Sequence, residues 1–209
     1  AIDSVKWVKG ELDADFHRYP DVGQTNANGT FTYKLIVTNP GNVPLTNIKI
    51  MDILPYVGDH GVILTNATRD SAYTPYLTTA VTAPVGITAL YSTSRNPVRS
   101  ELDASLGDPT GGVAGSFSAT APSDLKTVGS LLFDFGSLTL APLESKEITW
   151  SMTAPLSVVP GQVAWNSFGH RSTAADGGAP PAPTSADGTF FDTGVTLCTN
   201  DPMDTDRKS

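Results

Sequence analysis

The sequence predicts an all-β fold, an antiparallel sandwich, and three observations carry that prediction. Apolar residues recur with a period of two in several separate segments. Pro, Gly and Asn stand between those segments, where reversals of the chain need their backbone conformations. No segment holds a helical apolar period over an ordinary helix length.

The opening segment is ambiguous, because Ile2, Lys6 and Val8 share one face while Val5 and Trp7 occupy the other. In 30–38, Phe31, Tyr33, Leu35 and Val37 face one way and Thr32, Lys34 and Ile36 the other. Asn39-Pro40-Gly41-Asn42 then turns the chain, since Pro presets φ and Gly accepts a positive one. Segment 47–54 follows, with Ile48, Ile50 and Asp52 on one face. Segment 131–140 carries Leu131, Phe133 and Phe135 together before Gly136, and 147–153 sets Ile148, Trp150 and Met152 opposite Thr149, Ser151 and Thr153. In 162–168, Ala164, Asn166 and Phe168 share a face, and 190–197 reads as a final strand. Several such strands joined by tight turns predict an immunoglobulin-like β-sandwich spanning 1–198.

The stretch 56–128 is less regular, with short strands expected at 62–65 and 86–92. It reads as an elaborated insertion without a core of its own. The Pro-rich run 172–188 reads as a long loop, and 199–209 as a tail or linker. The chain opens directly on Ala1-Ile2-Asp3 and is expected to be a piece of something larger.

Thirteen Lys+Arg against 21 Asp+Glu give a net charge of −8 over 209 residues. Phosphate backbones and anionic membranes repel such a chain, so neither nucleic-acid binding nor membrane insertion is expected. No window approaches the roughly 18 consecutive apolar residues of a spanning helix. One cysteine, Cys198, permits no intrachain disulfide, so the domain is cytosolic or is extracellular and stabilised otherwise. Whether Cys198 pairs with another chain is left open.

His17, His60 and His170 are isolated from one another, and no nucleophile elbow or phosphate-binding fingerprint is present. A conventional enzyme and a dissociable organic cofactor are therefore not expected. Asp13, Asp15 and Asp21 form an acidic loop that could hold a structural calcium ion or simply be a solvated turn. The acidic tail around Asn200, Asp201, Asp204 and Asp206 reads as solubilising. Trp7, Trp150 and Trp165 sit beside aliphatic neighbours and are expected in the core, not on a sugar-binding face.

Asp52 resists an ordinary reading, because alternation puts it on the face a sandwich buries. A carboxylate there must be paired or protonated. Asn166, between Ala164 and Phe168 on its face, is similar. From pattern alone the plainest arrangement is a hydrogen-bonded Asp52–Asn166 pair with Lys6 exposed.

The run FTYKLIVTNPGNVPLTNI from Phe31 to Ile48 resembles the signature TYxIxVTNxGNVPLTNVxVxD of a repeat domain in large Gram-positive, especially actinobacterial, cell-surface proteins. Asp52-Ile53-Leu54-Pro55 resembles the D-x-L-P that follows, 138–145 the L-x-L-A-P-G-x-S turn, and 163–169 the V-A-W-N-S-F-G strand. Lys6, Gly10 and Asp13-Ala14-Asp15 resemble the opening motif, while Leu143 stands where the pattern has Gly. The resemblance implies an extracellular, cell-wall or cell-surface building block with structural or adhesive duties, whose partners are neighbouring domains of the same protein. It also implies, as in collagen-adhesin-type domains, a spontaneous Lys–Asn isopeptide bond. Lys6 and Asn166 would be joined with Asp52 as proton shuttle, and Lys9 is the alternative lysine. An isopeptide would replace the missing disulfide. The other function read from the residues is a carbohydrate- or host-protein-binding module. It would use Tyr73, Tyr76, Tyr91, Arg95 and Arg99 of the insertion.

Overall fold

The computed structural model describes residues 2–176, 184–185 and 193–197. In chain order the strands are β1 (Asp3–Gly10), β2 (Gly23–Thr25), β3 (Thr30–Thr38), β4 (Leu45–Ile53), β5 (Tyr76–Leu77), β6 (Thr88–Ser92), β7 (Ser130–Asp134), β8 (Ser145–Thr153), β9 (Val163–Ala174), β10 (Thr184–Ser185) and β11 (Thr193–Leu197). They form two sheets, β1-β3-β8-β5 and β2-β11-β9-β4-β7-β6, with β10 also paired to β9. Every ladder is antiparallel except β11 with β2. The expected antiparallel sandwich is what forms. The helical elements among the described residues are two short 3₁₀ turns, so no helix there is long and apolar enough to cross a membrane.

Register explains why the faces match. Phe31 pairs with Met152, Tyr33 with Trp150 and Leu35 with Ile148, and all six side chains are buried. The inner face is thus a continuous apolar layer built from two period-2 strands. Its centre is aromatic, with ring centroids 5.5 Å apart for Phe31–Tyr33, Tyr33–Trp150 and Phe133–Trp150. A bulge between Thr46 and Lys49, where Asn47 takes φ +50°, shifts the alternation of β4 by one residue. Leu45 and Ile48 can therefore both point inward, and Ile50 and Asp52 continue on that face.

The outer face of the second sheet is also covered. Met51, Ile53, Val62, Leu102 and Leu132 form a second, smaller apolar cluster, with Tyr56, Ile63, Leu90, Leu106 and Phe117 packed against it. The insertion thus has a core where none was expected. The reason lies in β4 and β7, which are apolar on both faces, so water must be kept from both.

Several expected boundaries differ. No strand forms at 62–65, where Val62 plugs the second cluster from a turn. The strand in 131–140 stops at Asp134, because the next residues fold into a turn at Gly136, φ +53°. Strand β9 runs on to Ala174, and β10 lies within the stretch read as a loop. Ser172 is buried as part of that ladder. β2 and β5 are too short to show a period and were not expected. Trp150 is a core residue as predicted, whereas Trp7 and Trp165 are half-buried. Cys198 and the acidic tail lie outside the described residues.

Candidate functional site: a buried Lys–Asp–Asn–Arg cluster

Lys6, Asp52 and Asn166 are brought to one place between the sheets. In β1, Ser4, Lys6 and Val8 are buried while Val5, Trp7 and Lys9 are half-buried, so Lys6 and not Lys9 is the inward lysine. Its exposure is 5 %, against 0 % for Asp52 and 1 % for Asn166. Asp52 sits opposite Phe168 in the β4–β9 ladder. Asn166 lies two residues earlier on the same face, the diagonal position at roughly 7–8 Å.

Lys6 Nζ donates to Asp52 Oδ2 at 2.5 Å, forming an ion pair that bridges the two sheets. The ammonium also lies over three aromatic faces, 4.8 Å from the Phe168 centroid, 5.5 Å from Tyr33 and 5.7 Å from Trp150. Those rings exclude water and supply the quadrupole attraction that helps hold a cation there. Such a pair is costly to bury, because the desolvation of both charges must be offset by their mutual attraction. Asp52 Oδ1 and Asn166 Nδ2 have no hydrogen-bond partner among the described residues. The expected Asp52–Asn166 pair with an exposed lysine is therefore not what forms. The lysine is buried and takes the carboxylate, because the pairing of β1 with β3 turns the Lys6 face inward, toward β4.

A fourth residue was not anticipated. Arg69 reaches in from the insertion, donating from Nη1 to Ile53 O at 2.8 Å, to Ser167 Oγ at 3.3 Å and to Asn166 Oδ1 at 3.5 Å. Its Nη2 pairs with Asp59 Oδ2 at 3.0 Å, both side chains being at most 1 % exposed. Asp59 is fixed in turn by Ser71, whose Oγ donates to Oδ2 at 2.6 Å and accepts from Trp165 N at 2.9 Å. Lys6 and Asp52 thus form one buried pair, and Asn166, Arg69 and Asp59 a buried chain beside it. Arg69 lies in irregular backbone with no period to betray its direction.

The acidic loop does other work. Asp13 Oδ2 accepts from Gly10 N at 2.7 Å and Gln24 N at 2.9 Å, tying the end of β1 to β2. Asp15 and Asp21 are exposed, and the described residues contain no group of three or more His, Cys, Asp or Glu able to hold a metal ion. The insertion tyrosines expected to serve recognition are mostly inaccessible. Tyr73 and Tyr91 are buried in the main core, and Tyr91 Oη accepts from Val81 N at 2.8 Å. Arg99 is buried as well, Tyr76 is half-buried, and Arg95 stacks on the Tyr56 ring at 5.2 Å.

No family model matches the chain, and no curated protein matches it. Among solved structures it is similar to a C-terminal fragment of the major pilin GBS80 of Streptococcus agalactiae. There the identity is 12%, the TM-score 0.41, and the match covers 95% of this chain and 56% of the pilin fragment. It is similar to a Nocardia farcinica protein described as having an immunoglobulin-like fold, at 13% identity and TM-score 0.37, covering 83% of this chain and 92% of that one. It is also similar to a family 123 glycoside hydrolase of Clostridium perfringens, at 10% identity and TM-score 0.35. That match covers 95% of this chain and 28% of the hydrolase. The chain thus spans a little over half of the pilin fragment and less than a third of the hydrolase.

Proposed function

We propose that this domain is a structural or adhesive module of a bacterial cell-surface protein, outside the cell and associated with the wall. Its only chemistry is one intramolecular isopeptide bond between Lys6 Nζ and Asn166 Cγ. The observation that carries the reading is the buried Lys6–Asp52 pair under three aromatic rings, with the Asn166 carboxamide in the same dry layer. Transfer of the shared proton from Nζ to Asp52 leaves a neutral amine and a neutral acid, the pair that a dry site favours. The amine attacks Cγ, giving a tetrahedral centre with its negative charge on Oδ1. Asp52 carries a proton from Nζ to Nδ2, the Cγ–Nδ2 bond breaks, and ammonia leaves. The amide N–C bond is new, nothing is oxidised or reduced, and Asp52, a carboxylate in the starting ion pair, ends as the neutral acid holding the first proton taken from Nζ. Folding supplies the proximity.

Such a bond would stop β1 from being peeled away from the second sheet under tension, which suits a domain strung between neighbours in a fibre or stalk. Intact mass tests it. The purified chain should weigh one ammonia less than calculated, and Lys6→Ala, Asp52→Ala and Asn166→Ala should each show the full mass. A wild-type chain of full calculated mass would refute the proposal.

A second reading, ligand binding by the insertion, is favoured by one pocket. A cavity of about 320 Å³ is lined by Tyr56, His60, Asn66, Arg95, Asn96 and Arg99, among others. Arg99 donates to the carbonyls of Val62 and Pro97, and the carboxylate of Asp108 acts on it from beyond ion-pair distance. A buried cation facing a pocket suits a carboxylate-bearing sugar. Calorimetric titration with a uronic acid and with its neutral counterpart checks this. The acid alone should bind, and Arg95→Ala should weaken it. Equal or absent heats for the two sugars would remove the reading.

A further inference from the structure

The structure assigns Arg69 to the cross-linking chemistry, as the group that holds and polarises the Asn166 carbonyl; the assignment rests on the isopeptide reading above. In the attack of Lys6 on Cγ, Asp52 is committed to the lysine side, because Oδ2 already holds Nζ at 2.5 Å. Charge develops elsewhere, on Asn166 Oδ1. Arg69 Nη1 donates to that atom at 3.5 Å, and the guanidinium is a fixed positive charge.

The guanidinium is held by more than this one contact. Ile53 O accepts from Nη1 at 2.8 Å, Leu54 O accepts from Nη2 at 3.4 Å, and Asp59 anchors Nη2 at 3.0 Å. Its position is thus set before any reaction, and little reorganisation is needed when charge reaches Oδ1. In water such a contact would be weak. Here Arg69, Asp59 and Asn166 are all buried, and the interaction is little screened.

The arrangement divides the labour between two groups. Asp52 moves protons between Nζ and Nδ2, and Arg69 neutralises the oxyanion without giving up a proton. It also orients the carboxamide. With Oδ1 turned to the guanidinium, Nδ2 is turned away from it and has no partner among the described residues, which leaves the leaving group unencumbered. Because Arg69 and Asp59 belong to the insertion, closing the bond would require the insertion to dock. The cross-link would then report completion of the whole domain and not only of the two sheets.

Cell-free synthesis of full-length wild type, Arg69→Lys and Arg69→Gln, quenched at intervals and weighed intact, tests the assignment. Folding is followed in parallel by near-ultraviolet circular dichroism, so that rates are compared between folded chains. Each Arg69 substitution is also melted in a Lys6→Met background, where no bond can form, which reads its packing contribution separately. Wild type should lose ammonia as soon as it folds. Folded Arg69→Gln should lose it about a hundredfold more slowly, the effect of removing one oxyanion donor. Arg69→Lys should be intermediate, because one ammonium cannot span both Asp59 and Oδ1. Closure of folded Arg69→Gln with the wild-type half-time overturns the role. Should Arg69→Gln not fold, wild-type closure by Arg69→Lys overturns it equally. Wild type that keeps its ammonia removes the isopeptide reading itself, a different result from either.

Discussion

Replacing Asn166 by Ala separates the proposed cross-link from the ion pair, because Lys6 and Asp52 keep each other. The bond would close a loop of about 160 residues. In the chain-entropy treatment used for disulfides, that restricts the unfolded state by roughly 5 kcal/mol. The native state gives up little by comparison, since Arg69 reaches Asn166 at only 3.5 Å and keeps Ile53 O and Asp59. Unfolding entropy near 2.1 cal/mol/K per residue, over 209 residues, turns 5 kcal/mol into a fall of roughly 11 °C in Tm. Lys6→Ala should cost more. It removes the same cross-link and also strands Asp52, wholly buried, without its cation, a further penalty of about 3–5 kcal/mol. Scanning calorimetry on the two variants and wild type therefore has a required order: wild type highest, Asn166→Ala next, Lys6→Ala lowest. Asn166→Ala melting within about 3 °C of wild type would refute the reasoning, since that gap is far below what closing so long a loop predicts.

His170 is buried in β9, and desolvation lowers its pKa to about 4, against the opposing charge of Asp3. The unfolded chain takes its proton near pH 6.5 and the native chain only near 4. Stability from this residue is therefore intact above about pH 6.5 and falls by about 3 kcal/mol as pH drops to 4; urea titrations of wild type and His170→Gln across that window should converge toward the acid end. Leu143 holds φ +64° while 80% exposed, so Leu143→Gly should relieve left-handed strain at little loss of burial. The net gain is about 0.5–1 kcal/mol after glycine's entropy, read as a small rise in Tm. At Gly10 a Cβ would lie 1.9 Å from Gln24 O, a main-chain atom that cannot step aside. Gly10→Ala should thus cost about 3 kcal/mol in urea unfolding and misplace the strand that carries Lys6.

The inner faces of β3 and β8, and the burial of Asp52 and Asn166, were legible in the sequence. Alternation along a strand is a local geometric rule, and each of these residues lies two steps from an apolar neighbour that shares its side. Sandwich architecture was legible for the same reason, since several half-apolar strands can hide their inner faces only by pairing sheets. Other features depended on packing between distant segments. The direction of Lys6 was one, because both faces of β1 carry apolar residues and only its pairing with β3 decides which turns inward. The second core was another: the double-sided burial of β4 and β7 drew Val62, Leu102 and Phe117 from irregular backbone, where no period reveals a side chain's heading. Tyr73 and Tyr91 of the insertion turned into the main core instead, Tyr91 from β6 beside Leu131. Arg69 is the clearest instance. Its approach to Asn166 spans 97 positions in the chain and is fixed by Asp59, Ile53 and Leu54, none of which a strand period connects to it. Alternation placed Asp52 and Asn166, and docking of the insertion placed the Arg69 guanidinium beside Asn166.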